Sequence, residues 1–296
     1  MPYIKVSKSF LTPQRKRSYF VKLAYMMTTP EAPPIQLCWN GDPVHIMRRV
    51  AEIGYDGVEL QVRDPNAFDG RALGKHAAEA GLVISAVSTG GIGAADNIFL
   101  VAKEPEIRRR AIDRFKSVLQ LAHEYGVDAS IGRFRGSTKA APSRDIAWAW
   151  FREALDELLP VAESLGVRIV LEPQARYIGD MLNTIDETVQ FIRTFSSSSL
   201  RFEGDLHHQD FEERSLIASL VEGHRSGLMS YVQLADSNRS APGLGNFNWV
   251  DILATLHAVG YDGWLAMEFK QTAESSDRDA QQAYSTVKGV LTNLGI

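Results

Sequence analysis

The sequence predicts an α/β fold, a (β/α)8 barrel that forms a single domain. Eight short runs of β-branched and apolar residues recur along the chain, and each is followed by a longer segment with helical spacing of apolar residues. Glycine separates most of these helical segments from the next apolar run. Near-continuous apolar strands that alternate with helices are typical of a parallel sheet covered by helices. The length of 296 residues suits one barrel, which commonly needs about 250 residues.

The strands follow one another in the order that a barrel requires. The predicted strands are Val21–Met26, Gly57–Gln61, Val83–Val87, Asp128–Gly132, Val167–Leu171, Leu200–Asp205, Met229–Leu234 and Gly263–Phe269. Between them, a stretch such as 111–125 places Ile112, Phe115, Val118 and Leu119 on one helical face. Gly-Tyr-Asp-Gly occurs at 54–57 and again at 260–263. Because glycine readily ends a helix, this repeat indicates a recurring helix-to-strand connection.

A doubly wound open sheet is the alternative fold. That fold often carries a glycine-rich phosphate loop after its first strand, whereas here the segment at 27–30 reads Met-Thr-Thr-Pro. The glycines at 90–93, Gly-Gly-Ile-Gly, lack the spacing of such a loop and are predicted to form a plain loop. The barrel is therefore the favoured fold.

Composition excludes several classes of function. The 32 basic residues are outnumbered by 36 acidic ones, so no basic surface for nucleic acid is expected. No apolar run approaches the roughly 20 residues needed to span a bilayer, so no membrane partner is expected. Cys38 is the single cysteine, which excludes a disulfide within the chain and a cysteine metal site.

Residues 1–19 differ from the rest of the chain. Lys5, Lys8, Arg15, Lys16 and Arg17 are scattered there without the apolar core of a secretory signal. We expect a basic arm that lies on the surface or on a neighbouring subunit, followed by a catalytic barrel over 20–296. The arm and the C-terminal helix near 279–294 suggest a homo-oligomer, and the cytoplasm is the expected location.

Oxygen-bearing side chains stand where the last four predicted strands end. Glu172 ends the fifth strand, Asp205 the sixth and Glu268 the eighth, while Gln233 lies in the seventh. Active sites of such barrels lie at these strand ends. Buried carboxylates close together cannot all ionise unless a cation joins them. Three carboxylates and an amide oxygen suit a hard divalent ion such as Mg²⁺ or Mn²⁺.

Basic side chains follow the same strands. One of His207 and His208, just after Asp205, is expected to reach the barrel mouth and donate a hydrogen bond to substrate. Arg135 and Arg239 lie just past the fourth and seventh strands. Each arginine either clamps an anionic or hydroxyl-rich substrate or pairs with a nearby carboxylate.

Several motifs then carry a resemblance that runs from about residue 20 to the C-terminus. They are Gly-Tyr-Asp-Gly-Val-Glu-Leu at 54–60, Leu-Glu-Pro at 171–173 with Arg176-Tyr177, Asp205-x-x-His208, Ala-Asp-Ser-Asn-Arg at 235–239, and Trp-Leu-Ala-Met-Glu at 264–268. In this order they resemble the xylose-isomerase-like TIM barrel superfamily of sugar isomerases and epimerases. Within it the chain is most similar to ketose 3-epimerases and keto-gluconate epimerases.

The resemblance implies roles for the strand-end residues. Glu172, Asp205, Gln233 and Glu268 would bind the metal, and Glu172 and Glu268 would form an acid/base pair across the substrate. His208 and Arg239 would hold substrate oxygens. Two departures bear on these roles. Gln233 replaces the usual histidine, as it can in related dehydratases, and Ala175 with Ile178 replaces an asparagine and a glutamate of the pocket.

The chemistry implied is proton transfer beside the carbonyl of a ketose or keto sugar acid, through an enediolate. Return of the proton to the opposite face gives epimerisation, return to the neighbouring carbon gives isomerisation, and loss of a β-hydroxyl gives dehydration. A metal-dependent dehydratase or lyase acting on a keto acid is an alternative, favoured by Gln233 and Arg135. A non-catalytic barrel subunit is another, since the histidine ligand is missing. An apurinic endonuclease shares the fold, but the acidic balance of the chain argues against it.

Overall fold

The computed structural model describes residues 21–272 and 275–296. The strands form a closed parallel barrel in sequence order, which confirms the predicted fold class. The strands are β1 (Lys22–Thr28), β2 (Gly57–Gln61), β3 (Val83–Ser88), β4 (Asp128–Ile131), β5 (Ile169–Leu171), β6 (Leu200–Asp205), β7 (Met229–Leu234) and β8 (Trp264–Met267). The predicted basic arm at 1–19 lies outside the described residues.

Helices cover the outside of the barrel. They are α1 (Pro43–Ile53), α2 (Gly70–Glu79), α3 (Gly90–Asp96), α4 (Pro105–Tyr125), α5 (Arg144–Leu165), α6 (Ile185–Ile192), α7 (Leu206–Glu212), α8 (Leu216–Arg225), α9 (Trp249–Val259) and α10 (Ser276–Asn293). Short 3₁₀ turns stand at Pro65–Ala67, Arg133–Arg135 and Thr138–Ala140. Within 21–272 and 275–296, no helix combines the length and the apolar character needed to cross a membrane.

The prediction of a loop at 90–93 is wrong, because these residues begin α3. Glycine disfavours a helix on its own, so packing must supply the stability. A side chain at Gly93 would stand 2.3 Å from the ring of Phe99, and one at Gly91 would stand 3.2 Å from Ile35. The glycines thus let this short helix approach its neighbours closely. Helix propensity, which is a local property, does not predict a helix that depends on such packing.

The two Gly-Tyr-Asp-Gly strings do form equivalent helix-to-strand connections. Gly54 ends α1 with φ 115° and Gly260 ends α9 with φ 84°, both in the left-handed region that glycine tolerates. The tyrosines that follow them, Tyr55 and Tyr261, are buried under the barrel. Each connection therefore stops a helix and anchors the next strand from below.

The side chains inside the barrel change from mainly small and apolar to polar along the barrel axis. One layer contains the small residues Ala24, Ala86 and Ala266 around the ring of Tyr231. The Tyr231 hydroxyl is 2.7 Å from the hydroxyl of Ser85, so its polar end is satisfied inside the barrel. Polar side chains lie above this layer, toward the carboxyl ends of the strands. The layer lies nearer the amino ends of its strands than the cavity described next, which Ser88, Gln233 and Glu268 line.

Candidate active site

The structure brings the predicted strand-end residues together at one end of the barrel. Glu172 directly follows β5, Glu268 directly follows β8, and Asp205 and Gln233 are register partners on β6 and β7. All four side chains are buried. Glu172, Gln233 and Glu268 line a cavity of about 280 Å³ that His208 and Arg239 also line. The cavity is therefore walled by carboxyl, amide, imidazole and guanidinium groups.

Part of this cluster has the geometry of a metal site. Glu172, Asp205 and His208 each offer one ligand atom, and the three atoms lie within 4.8 Å of one another. Asp205 Oδ2 and Gln233 Oε1 are buried and have no hydrogen-bond partner within the described ranges. An unpartnered buried oxygen is costly unless something positive or hydrogen-bonding meets it. The donor set therefore fits a divalent cation.

A chain of short contacts crosses the cavity. His208 Nε2 lies 3.4 Å from Glu172 Oε1 and 3.6 Å from Asp205 Oδ2. An Nη atom of Arg239 lies 3.5 Å from the same His208 nitrogen and 3.4 Å from Glu268 Oε2. His208 and Arg239 thus stand between the two glutamates, where a bound molecule would meet all four groups.

Burial sets the protonation of these groups. It raises the pKa of Glu172 to about 8, and Asp205 adds to this effect. Burial likewise raises the pKa of Glu268 well above its ordinary value. Burial lowers the pKa of His208 to about 4, so its imidazole is neutral at pH 7. Burial opposes ionisation of Asp205 as well, but His208 and Arg239 lower the pKa of that carboxyl below its usual range. Glu172 is therefore set apart from Asp205 as a group that can hold a proton at neutral pH, and the pKa of Glu268 is shifted in the same direction.

The loop after β7 is organised by Asp236, which carries Arg239 to the cavity. Asp236 accepts hydrogen bonds from the backbone N–H of Ser237, Gly243 and Phe247 and from Trp249 Nε1, at 2.8–3.1 Å. Arg239 has φ 60°, an unusual conformation for a residue other than glycine. Its backbone N–H donates to the Asp236 carbonyl at 2.7 Å. The Ala-Asp-Ser-Asn-Arg motif is thus a turn that presents one guanidinium.

Comparison with known proteins agrees with this architecture. A family model described as xylose isomerase-like TIM barrel matches residues 47–288. The chain belongs to the xylose isomerase-like TIM barrel family. The match covers β2 to β8 and all four strand-end residues of the candidate site. It confirms the family resemblance predicted from the motifs.

Relatives of this xylose isomerase-like barrel are named as sugar epimerases. The L-ribulose 3-epimerase of Mesorhizobium japonicum is 29% identical over 220 residues, which are 73% of this chain and 72% of that protein. The 3-dehydro-D-guloside 4-epimerase of Escherichia coli is 28% identical over 247 residues, 80% of this chain and 89% of that protein. The apo structure of 3-keto-D-glucoside 4-epimerase from E. coli has the same fold, with a TM-score of 0.76 at 22% identity, over 91% of this chain and 100% of that chain.

Gln233 of this xylose isomerase-like barrel is oriented by a residue that the sequence analysis did not single out. Gln233 Nε2 donates to Glu59 Oε1 at 2.9 Å, which turns its Oε1 away from Glu59. Glu59 is fully buried in β2 and also accepts from the hydroxyl of Ser88. Burial raises the pKa of Glu59 to about 7. Glu59 therefore acts as the acceptor that fixes which end of the amide faces Asp205 and the cavity.

A second buried carboxyl, Glu203, was also missed. Glu203 lies two residues before Asp205 in β6, lines the cavity, and accepts from the Ser130 hydroxyl at 2.5 Å. Burial raises the pKa of Glu203 well above the ordinary value, and the neighbouring Glu172 adds to this effect. The signal was available in the sequence. A glutamate inside an otherwise apolar parallel strand, two residues from another acid, shares its face of the strand.

Arg135 lies behind the cavity wall. It is 1% exposed, and its Nη atoms donate to the backbone carbonyl of Glu172 at 2.7 Å, to that of Gly132 at 3.2 Å and to Gln174 Oε1 at 3.3 Å. Gln174 in turn donates to Glu172 Oε2 at 2.8 Å. The guanidinium predicted as a substrate clamp is thus directed at the chain around Glu172. Arg133, two residues earlier, is the arginine of this loop that lines the cavity.

The neighbouring histidine, His207, points to the side of the cavity. Its Nε2 lies 2.7 Å from the hydroxyl of Tyr177, and its ring is buried. Of the two histidines after Asp205, His208 is therefore the one that reaches Glu172 and Asp205 and lines the cavity. This agrees with the expectation that one of the pair enters the barrel mouth.

Proposed function

We propose that the chain is a divalent-metal-dependent epimerase that inverts a carbon beside the carbonyl of a ketose or keto sugar acid. The observation that carries the proposal is the pair of buried carboxyls, Glu172 and Glu268, which line one cavity from β5 and β8 with His208 and Arg239 between them. The relatives named as 3- and 4-epimerases support epimerisation over isomerisation and dehydration.

Glu172, Asp205, Gln233 and Glu268 would hold the metal, with Mn²⁺ or Mg²⁺ as the proposed ion because the donors are hard oxygens. His208 is within reach of the same position. A bound divalent cation would polarise the substrate carbonyl, acidify the adjacent C–H and let the buried carboxyls ionise.

The two glutamates would move the proton. One of them, as the carboxylate, accepts the proton from the carbon beside the carbonyl, and the sugar becomes an enediolate. The other, as the carboxylic acid, delivers a proton to the opposite face of the same carbon and inverts it. The pKa of Glu172, about 8, suits this exchange, since a group that titrates near neutral pH both accepts and donates efficiently, and burial raises the pKa of Glu268 as well.

His208 and Arg239 would hold the substrate's oxygens. The neutral imidazole of His208 offers a hydrogen bond, and the guanidinium of Arg239 offers a positive charge next to Glu268. Both side chains are buried, so the oxygens they bind would be shielded from water, where such contacts are stronger. We assign Arg135 to the support of the Glu172 backbone rather than to the substrate.

The substrate unit at the metal would be a single sugar. The cavity of about 280 Å³ lies near the lower end of the usual range of about 300–1,000 Å³ for small-molecule sites. Hydroxyl-binding groups line it together with the apolar Pro34, Ile35 and Leu37.

Proton exchange in D₂O tests the proposal directly. The Mn²⁺-loaded protein is incubated with ketoses and keto-aldonates, and deuterium beside the carbonyl is followed by NMR. We expect Glu268→Gln to lower exchange by about 10²-fold or more, whereas Glu157→Gln, on an outer helix, leaves it unchanged. Absence of exchange with every sugar, together with absence of bound metal, would contradict the proposal. Products that have lost water would instead support the dehydratase alternative.

The subunit arrangement and the cellular location remain as the sequence predicts them. A homo-oligomer, a cytoplasmic location and a catalytic domain over 20–296 stay predictions.

A further inference from the structure

A second cleft opens directly from the active-site cavity. It has a volume of about 440 Å³ and shares three lining residues with the first cavity, Leu37, Ile178 and Arg239. A molecule held by Arg239 in the first cavity can therefore extend into the second without leaving the protein surface. We call the second space the side cleft, lined in addition by Gln36, Tyr177, His207, Phe211, Ser237, Asn238 and Lys270.

Two exposed aromatic rings stand on the wall of the side cleft. Tyr177 is 54% exposed and Phe211 is 58% exposed, and their ring centroids lie 5.2 Å apart. The Tyr177 hydroxyl is fixed by His207 at 2.7 Å, and the Phe211 ring packs 5.1 Å from the His207 ring. Large apolar rings held in place on a surface are characteristic of a binding site. Because the rings are already ordered, a ligand that stacks on them loses little additional entropy.

The rest of the side cleft is polar. Gln36 and Asn238 bring amides, Ser237 brings a hydroxyl, and Lys270 brings an exposed ammonium group. Ligand sites combine aromatic surface with a few placed polar groups in this way. A sugar ring offers the matching chemistry, with an apolar C–H face for Tyr177 and hydroxyls for the amides.

Hydrocarbon forms part of the junction between the two spaces, beside the guanidinium of Arg239. Ile178 and Leu37 line both spaces. A hydroxyl directed at Ile178 and Leu37 rather than at Arg239 would meet hydrocarbon, and an unsatisfied hydroxyl lowers affinity. A glycosidic linkage carries no hydroxyl hydrogen and passes such a junction without that loss.

We propose that the side cleft binds a second sugar ring, so that the substrate is a glycosylated keto sugar whose keto unit lies at Glu172 and Glu268. The inference rests on the proposed function and adds the substrate class to it. The continuity of the two spaces through Arg239 favours an extension of the substrate over a separate partner molecule.

A comparison of one monosaccharide with two disaccharides tests whether the side cleft binds a second sugar ring. The Mn²⁺-loaded protein is titrated with D-fructose and with two ketose disaccharides, isomaltulose and lactulose, and dissociation constants are measured by calorimetry. Exchange in D₂O is measured in parallel. We expect at least one disaccharide to bind roughly tenfold more tightly than fructose, the factor expected from about 50 Å² of added apolar contact. Phe211→Ala is expected to remove most of that ratio. Leu244→Ala, at another exposed apolar residue that lies outside the cleft, is expected to keep it.

The outcomes separate the two proposals. If fructose binds and exchanges but neither disaccharide binds more tightly, the side cleft proposal is overturned and the epimerase proposal stands. If the preference exists but Phe211→Ala and Tyr177→Leu both retain it, the second ring lies elsewhere and the proposal is again overturned. If no sugar binds and none exchanges, the epimerase proposal fails and the side cleft proposal fails with it.

Discussion

The orientation of Gln233 gives the sharpest test of the candidate metal centre. Gln233 Nε2 donates to Glu59 Oε1 at 2.9 Å, and Gln233 Oε1 has no hydrogen-bond partner in the part of the chain that the structure describes. We predict that Glu59→Gln weakens metal binding. The new amide can donate to Gln233 Oε1, which turns that oxygen away from Asp205 and the cavity.

The expected loss of metal affinity follows from the hydrogen bond between Gln233 Nε2 and Glu59 Oε1, which the substitution removes. A hydrogen bond to a charged group contributes about 1.5–3 kcal/mol, which corresponds to roughly 10- to 100-fold in a dissociation constant. Residues that orient metal ligands show the same range, about 10–100-fold, when they are replaced. Gln233→Leu, which removes the oxygen itself, is expected to weaken binding at least as much.

Calorimetric titration with Mn²⁺ measures the effect, and circular dichroism checks that each variant is folded. Asp279→Asn is the matched control, because Asp279 is a buried carboxyl whose hydrogen bonds go to Thr272 and not to the cavity. It is expected to change the dissociation constant less than about twofold. Equal affinities of the wild-type, Glu59→Gln and Gln233→Leu proteins would refute the reasoning, since the amide would then not be a ligand.

Three further predictions concern stability. Without metal, the free energy of unfolding should fall as pH rises from 4.5 to about 8. The pKa of Glu59 is about 7 and that of Glu172 about 8 in the folded protein, so both carboxyls keep protons that the unfolded chain releases near 4.5. Denaturant titrations in EDTA check this slope, which Mn²⁺ should reduce, and a slope of opposite sign would contradict it. Phe151→Ala should destabilise by about 3–5 kcal/mol in denaturant titration, since the ring is fully buried and stacks on Phe191 of α6. Asp236→Asn should cost about 1–3 kcal/mol and raise KM through Arg239. A loss of stability with KM unchanged would show that the loop does not position Arg239.

The sequence predicted the barrel well because its strands are buried on both sides. β2 is buried at every position, and the prediction for it, 57–61, matches the structure. The ends of other strands were less accurate. β5 begins at Ile169 rather than at Val167, because pairing with neighbouring strands, and not the apolar run, decides where a strand starts.

The candidate site was predictable where a polar residue closes a strand. Asp205 and Glu268 stand at or just after the ends of apolar strands, where the barrel places its chemistry. The sequence could not show that Arg135 turns back on the Glu172 carbonyl, because a side chain's direction depends on the loop around it. Nor could it show that Glu59 holds the amide of Gln233, since these residues are 174 positions apart.

The buried carboxyls of the barrel interior also limit which amino-acid substitutions can stabilise the protein without affecting its site. Glu59 and Glu203 occupy positions that well-packed apolar side chains would fill more stably in the absence of metal. Replacing Glu203 by methionine is therefore expected to raise the melting temperature of the metal-free protein. The same exchange would add hydrocarbon to the cavity wall and change the field around Glu172. Selection for heat resistance and selection for turnover would thus act in opposite directions on the same few interior positions.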